Sequence, residues 1–307
     1  FWFSIIKIVA IIALVVVGIW MVATGFTAPG GARASLANLW NDGGLFPHGF
    51  DGFAGAFQIA VFAFVGTELI GTTAAEAEDP EVTLPRAINA IPVRILLFYL
   101  GALAAIMCVT PWREVSADSS PFVAMFTLAG LGVAASVVNF VVTTAAASSA
   151  NSGMYSTSRM LFGLAEAGQA PAVFAGLSKR SVPAPALLLT CAALLTSIPL
   201  LYVSDSIMAA FTAVTTVASV LFILVWCVIL MCYLRYRRLR PEVAEASAFR
   251  MPGGRAAAWA CLVFFVFVTW TLTLAGDTRV AVVWSPLWVA ALAVAWWMHQ
   301  RRAARAA

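Results

Sequence analysis

Long apolar runs separated by short polar connections make up most of the chain. A helix that crosses a bilayer needs about 20 mostly apolar residues, and eight segments have this length and pattern. The predicted spans cover residues 4–24, 53–75, 92–110, 122–150, 185–203, 207–233, 256–275 and 281–298. The pattern therefore predicts an all-α, polytopic membrane protein with eight transmembrane helices. The acidic, proline-containing segment 77–86 is expected to be a connecting loop.

The composition agrees with lipid as the solvent. Of the 307 residues, 62% are hydrophobic and only 10% are charged, whereas soluble domains carry about 25% charged residues. The five cysteines lie inside apolar runs, and neither histidine belongs to a metal-ligand or catalytic spacing. No catalytic motif is present, so we predict no enzymatic activity, no metal and no cofactor.

The basic residues predict the orientation, since Lys and Arg favour cytoplasmic loops. When alternate loops are assigned to opposite sides, only Arg33, Arg113 and Arg279 of the 18 basic residues lie on the outer side. Both ends of the chain are then expected in the cytoplasm. The chain starts with Phe1 inside an apolar run that is too long for a signal-peptide core, so it is expected to be a fragment of a longer protein.

The second predicted span contains a polar interruption where an ordinary span would hold leucine. A carboxylate inside a membrane is costly and usually functional, and transporters use broken helices to direct free N–H and C=O groups at a substrate. We therefore predict substrate binding by Phe64, Val65, Gly66, Thr67 and Glu68. The alternative is that Glu68 lies near the cytoplasmic end and that the glycines only permit close helix packing.

Three further polar features lie inside predicted spans. Lys7 lies between isoleucines, so its ammonium group either snorkels to the membrane interface or lies inside the bundle. Inside the bundle, desolvation disfavours the charged form and would let the lysine exchange a proton. The small residues around Ser148 and Ser149 offer either close helix packing or hydroxyl ligands. A polar stripe, which faces the bundle or a water-filled path unless its hydroxyls bond to their own helix carbonyls, consists of Thr212, Thr215, Thr216 and Ser219.

Several short motifs together resemble those of a known family, the amino-acid permeases of the amino acid–polyamine–organocation superfamily. The resemblance extends from end to end of the chain. The motifs that carry it are Phe62–Glu68, Thr72–Glu76, Asp79–Pro80, Leu84–Ile88, Ser120–Phe122, Asn151–Gly153 and Ser158–Ala165. Within the family the likeness is greatest to permeases of D-serine, D-alanine and glycine, through Leu39–Gly44 and Ala147–Gly153, and the aromatic amino-acid permeases are also similar.

The resemblance implies a twelve-span, LeuT-like inverted-repeat fold in a bacterial inner membrane. The eight segments would be spans five to twelve, and spans one to four would be missing. In such permeases the unwound backbone of spans one and six holds the amino and carboxyl groups of the substrate, and Phe64–Glu68 belongs to span six. Lys7 matches a lysine of span five that replaces a coupling ion, with Ser148 and Ser149 as neighbours. This comparison favours a buried Lys7 and a proton partner for the amino-acid substrate.

The expected function is therefore proton symport of small neutral amino acids by the complete protein. Because half of the substrate site would be missing, the chain alone is expected to be inactive. The alternatives are a permease for another amino acid, and a passive channel or non-transporting membrane scaffold.

Overall fold

The computed structural model describes residues 2–72, 78–116, 119–204, 206–247, 249–274 and 276–306. Within these ranges the chain forms α-helices and turns, with no β-strand. The α-helices are α1 (Trp2–Ala23), α2 (Gly49–Ala63), α3 (Leu69–Thr72), α4 (Pro80–Ile95), α5 (Gly101–Val109), α6 (Pro121–Leu128), α7 (Gly132–Glu166), α8 (Ala184–Leu195), α9 (Ser197–Val203), α10 (Ile207–Leu239), α11 (Pro241–Ala246), α12 (Gly254–Thr271) and α13 (Gly276–Ala306).

The helical class and the repeated crossing of a membrane are confirmed. Among the described residues, six helical segments are long and apolar enough to cross a membrane: Ile5–Ala23, Pro80–Val109, Gly132–Glu166, Ala184–Val203, Ile207–Leu239 and Gly254–Thr271. The other two predicted spans coincide with shorter apolar helices, Gly49–Ala63 and Val282–Met298. The count of eight crossings therefore stays a prediction. Residues 73–75 of one predicted span and residue 275 of another lie outside the described residues.

The helix of the third predicted span begins earlier than expected, because α4 replaces most of the expected loop over 77–86. Pro80 occupies the first turn of α4, where a missing N–H costs nothing. Pro92, inside α4, cannot donate a backbone hydrogen bond, and a π-helical turn over Leu96–Leu100 follows it before α5 continues the helix. Prolines that indicated a loop in the sequence are thus accommodated within one long helix.

The predicted span over 122–150 is interrupted in the structure. Helix α6 ends at Leu128 and α7 begins at Gly132. Gly130 lies between them with a φ of 75°, a left-handed conformation that suits glycine. The Leu131 N–H then donates to the Phe126 carbonyl over 3.0 Å and closes the turn. A glycine inside one predicted span therefore ends one helix and lets the next one start.

The helices group into two compact units. The first unit comprises Phe1–Pro47 and Ile70–Met160, and its core lies where α1 packs against α5 and α6. Its largest fully buried side chains are Leu14, Met21, Val109 and Met125. The opposite face of α1 exposes apolar side chains, among them Val16, Ile19 and Trp20, which is the pattern of a helix that faces lipid.

The second unit comprises His48–Leu69 and Leu161–Ala307. Helix α10 is its central element and packs against α2, α12 and α13. The buried apolar side chains at this junction are Val61 of α2, Val220 and Ile223 of α10, and Val268 and Leu272 at the end of α12. Ser206 begins α10, since its hydroxyl accepts the Ala209 N–H over 3.0 Å.

Gly18 is required for the close approach of α1 to its neighbours in the first unit. A Cβ at this position would lie 2.8 Å from the Ala105 Cβ and 2.9 Å from the Met125 Cε. Because the Ala105 methyl group cannot turn away, we expect Gly18→Val to destabilise the purified protein by about 1–3 kcal/mol. The measurement is the midpoint of thermal unfolding in detergent.

Gly153→Val is the matched control, since Gly153 is an exposed glycine of α7 and no atom of the described residues lies within 4 Å of where its Cβ would be. It should unfold close to the wild-type temperature. Equal midpoints for Gly18→Val and Gly153→Val would contradict the role of Gly18.

Candidate functional site

The predicted break in the second span is present in the second unit. Helix α2 ends at Ala63, and the chain continues through turns to Leu69. The Phe64 N–H donates to the Val61 carbonyl and the Val65 N–H donates to the Phe62 carbonyl, both over 3.1 Å. These bonds join residues i and i−3, as in a 3₁₀-helix, instead of i and i−4 as in an α-helix. Gly66 has a φ of 101°, which disfavours residues with a Cβ. The glycine thus lets the backbone leave the helix inside an apolar setting.

The Glu68 carboxylate holds the broken segment in place. Its Oε1 accepts the Gly66 N–H over 2.9 Å, and its Oε2 accepts the Trp226 indole N–H of α10 over 3.3 Å. Hydrogen bonds to an ionised carboxylate are stronger than neutral ones. One side chain therefore satisfies a backbone donor released by the break and ties the segment to α10.

A cavity of about 500 Å³ lies beside this break. The residues that line it are Phe57, Ala60, Val61, Phe64, Thr67, Trp226, Phe264 and Phe265. Its walls are thus mostly aromatic, and they come from α2, the broken segment, α10 and α12. Phe64 and Thr67, both predicted to contact substrate, face this cavity. Ligand sites are commonly apolar pockets of this size with a few polar groups.

The polar stripe of α10 faces α2 in the structure. Gln58, only 4% exposed, donates from Nε2 to the Thr215 Oγ1 over 2.9 Å. The Ser219 hydroxyl lies 3.2 Å from the Gln58 backbone carbonyl and 2.8 Å from the Thr215 carbonyl of its own helix. Thr216 is fully buried and bonds to the Thr212 carbonyl over 2.6 Å. These hydroxyl groups therefore bond to carbonyls of their own helix and also contact α2 of the bundle.

Lys7 lies in the first unit, on α1. Its side chain is half-buried, and the ammonium nitrogen lies 3.4 Å from the Ala145 carbonyl oxygen of α7. No carboxylate pairs with Lys7 within the part of the chain that the structure describes. The lysine therefore points to another helix of its unit, as expected for a side chain inside the bundle.

Ser148 and Ser149 follow Ala145 by about one helical turn. Ser148 is half-buried and Ser149 is exposed, and the Lys7 ammonium contacts neither hydroxyl in the described residues. The Ser148 carbonyl accepts the Ser152 hydroxyl over 3.0 Å. The structure thus places the Lys7 ammonium group against α7, about one turn before Ser148 and Ser149.

Two residues of the site were not predicted from the sequence. Gln58 lies within a long apolar run, and its polarity inside a predicted span was a usable signal. Trp226 carried no such signal, because an aromatic residue in an apolar span usually packs or faces lipid.

The sequence matches the amino acid permease family over residues 1–306. The chain therefore belongs to the amino acid permease family, a class of polytopic membrane proteins. No solved structure matches it.

Among curated proteins, the chain is 58% identical to the D-serine/D-alanine/glycine transporter of Escherichia coli K12, over 99% of this chain and 65% of that protein. It is 46% identical to the amino-acid permease AapA of Bacillus subtilis, over 98% of this chain and 65% of that protein. It is 37% identical to the aromatic amino acid transport protein AroP of Escherichia coli O6:H1, over 99% of this chain and 65% of that protein. The chain thus spans 65% of the length of these relatives.

The hydrogen bond between Gln58 and Thr215 offers a direct test of the contact between α2 and α10. Thr215→Val keeps the shape but leaves the buried Gln58 amide without its acceptor, which we expect to cost about 1–3 kcal/mol. Adding Gln58→Leu should recover part of this loss, because both buried polar partners are then gone. Thermal unfolding of the two single variants and the double variant gives the coupling energy.

Thr143→Val is the control, since among the described residues the exposed Thr143 hydroxyl bonds only to the Asn139 carbonyl of its own helix. Its unfolding midpoint should stay near that of the wild type. Strictly additive effects of Thr215→Val and Gln58→Leu would show that the two side chains are not coupled.

Proposed function

We propose that the protein, at its natural length, is a proton symporter of small neutral amino acids such as D-serine, D-alanine and glycine. The observation that carries this proposal is the broken helix over Phe64–Glu68 in a member of the amino acid permease family. The identity of 58% to a protein named D-serine/D-alanine/glycine transporter supports the substrate class. The bacterial cytoplasmic membrane is the proposed location, with both ends of this chain in the cytoplasm.

The broken segment has the chemistry that an amino-acid zwitterion needs. Breaks in membrane helices free N–H groups for the substrate carboxylate and C=O groups for its ammonium group. In the structure the Glu68 carboxylate accepts the Gly66 N–H over 2.9 Å, and a substrate carboxylate would take the place of Glu68 at this donor. We propose that the backbone of Phe64, Val65, Gly66 and Thr67 binds the substrate and that the Glu68 carboxylate stabilises the segment and contacts the substrate ammonium group.

We assign proton coupling to Lys7. Its position between two helices and, within the described residues, its one hydrogen bond to a carbonyl oxygen support this role, because an uncharged amine can still donate to a carbonyl after it has lost a proton. A carboxylate partner would instead hold the lysine in its charged form. Ser148 and Ser149, one turn further along α7, are the proposed neighbours of the exchanged proton.

The α10 stripe is proposed to line the substrate path mainly through Thr212. Thr215, Thr216 and Ser219 are buried and hydrogen-bonded within the second unit. Thr212 is half-buried, and the structure uses its backbone carbonyl rather than its hydroxyl.

Uptake by proteoliposomes tests the function. The protein at its natural length should accumulate labelled glycine or D-serine when the proton concentration is higher outside, and the initial rate should saturate with substrate. Abolishing the gradient with a protonophore should stop accumulation but permit equilibration. Accumulation that does not depend on the gradient would contradict proton symport, and flux that never saturates would favour a channel. The absence of any flux would favour a scaffold.

Lys7→Ala should abolish accumulation driven by the proton gradient, because no group remains to exchange the proton. Lys7→Arg should do the same, since a guanidinium stays charged at any working pH. Counterflow of labelled substrate between two substrate pools needs no net proton movement and should persist in both variants. Its persistence would also show that the variants fold.

The control for these variants is Lys179→Ala, which removes an exposed loop lysine. Normal accumulation is expected for this control. Normal accumulation by Lys7→Ala would refute the coupling role of Lys7.

A further inference from the structure

The second unit carries a dense group of arginines where α10 ends and α12 begins. Residues 233–255 contain six arginines and two glutamates, Glu242 and Glu245. We name these arginines the arginine cluster: Arg235, Arg237, Arg238, Arg240, Arg250 and Arg255. All except Arg237 are exposed, and Arg237 is half-buried. The cluster therefore presents a strong positive charge that its two carboxylates do not balance.

Within the described residues, three arginines of the cluster donate hydrogen bonds to hydroxyl or carbonyl oxygens and none to a carboxylate. Arg237 donates to the Tyr233 hydroxyl over 3.3 Å, and Arg255 donates to the Arg237 backbone carbonyl over 3.0 Å. Arg250 donates to the backbone carbonyls of Ser247 and Glu245. Such contacts fix the positions of the guanidinium groups without neutralising their charge.

Gly254 brings one of these groups against the backbone of α12. A Cβ at Gly254 would lie 2.8 Å from the Arg237 Nη1. The missing side chain lets the Arg237 guanidinium rest on the first turn of α12, while Arg255 of the same turn bonds back to α10. The guanidinium groups of Arg237 and Arg255 therefore each contact the opposite helix.

The remaining cluster members are available to a ligand. The side chains of Arg235, Arg238 and Arg240 donate to no group among the residues that the structure describes, and all three are exposed. A guanidinium has five N–H donors and forms paired hydrogen bonds with phosphate oxygens. The cluster thus offers unsatisfied donors and unbalanced charge in the same place.

The position of the arginine cluster relative to the membrane indicates which anion it can bind. Both α10 and α12 are long and apolar enough to cross a membrane, so their adjoining ends lie where the hydrocarbon gives way to lipid head groups. Exposed apolar side chains continue from the cluster along both helices, including Ile229 and Met231 on α10 and Trp259 and Val263 on α12. The matching ligand carries a phosphate on an apolar body.

We propose that the arginine cluster is a binding site for the head group of an anionic glycerophospholipid. The guanidinium groups bind the lipid phosphate, and the acyl chains lie along the exposed apolar faces of α10 and α12. Each basic residue next to a membrane raises the affinity for anionic lipids by about fivefold. This site requires neither the proposed substrate nor proton coupling.

The test titrates the purified protein in a neutral detergent with phosphatidylglycerol and follows the midpoint of thermal unfolding. A ligand that binds only the folded state raises this midpoint. We expect phosphatidylglycerol to raise it by about 4 °C and phosphatidylcholine with the same acyl chains to raise it clearly less. Inorganic phosphate at the same concentration should have no effect, because it lacks the apolar body.

Arg238→Gln combined with Arg240→Gln removes two cluster charges without removing a hydrogen bond within the described residues. The apparent affinity for phosphatidylglycerol should fall about tenfold to thirtyfold, while the midpoint without lipid stays at the wild-type value. Lys179→Gln combined with Arg180→Gln is the matched control, since it removes two exposed positive charges elsewhere. The control should bind phosphatidylglycerol with wild-type affinity.

An equal loss of affinity in both double variants would overturn the proposal, because net charge rather than the cluster would then govern binding. Equal effects of phosphatidylglycerol and phosphatidylcholine would also overturn it. So would an equal effect of inorganic phosphate, which would make the ligand a free anion instead of a lipid.

Discussion

A backbone N–H inside a membrane needs a hydrogen-bond partner, because lipid offers none. This constraint governs the broken segment of the second unit. Gly66 lets the chain leave the helix, and the Glu68 carboxylate accepts the Gly66 N–H that the break releases. The same carboxylate accepts the indole N–H of Trp226 and so anchors the break to α10. Without this acceptor, a broken helix in an apolar setting would carry the full cost of an unpaired donor.

Helix α10 organises the second unit through two kinds of contact. Its apolar residues Val220 and Ile223 form a core with α2 and α12, and its hydroxyl groups pair with Gln58 and with its own carbonyls. Hydroxyl groups that are buried and paired contribute to helix packing and have little left to offer a substrate. The groups proposed to bind an amino acid thus belong mainly to the broken segment, with Thr212 as the proposed contribution of the stripe.

Much of this architecture followed from the hydrophobic pattern, but the helix limits did not. Pro80 and Pro85 indicated a loop and a late helix start, yet both lie within α4. Gly130 looked compatible with one continuous span, yet its left-handed conformation separates α6 from α7. Proline and glycine permit more than one local structure, and the surrounding packing selects among them. The environment of Lys7 was predicted from family resemblance, since its apolar neighbours fitted both snorkelling and burial.

The sequence by itself determined that the chain crosses a membrane repeatedly, that one span is broken at Phe64–Glu68 and that the chain resembles the amino-acid permeases. These properties depend on runs of neighbouring residues and on local motifs. Only the tertiary structure decided which polar groups pair. Glu68 meets Trp226 across 158 positions of the chain, and Gln58 meets Thr215 across 157. Such pairs depend on how each helix is rotated and packed, and rotation is set by all of its contacts together.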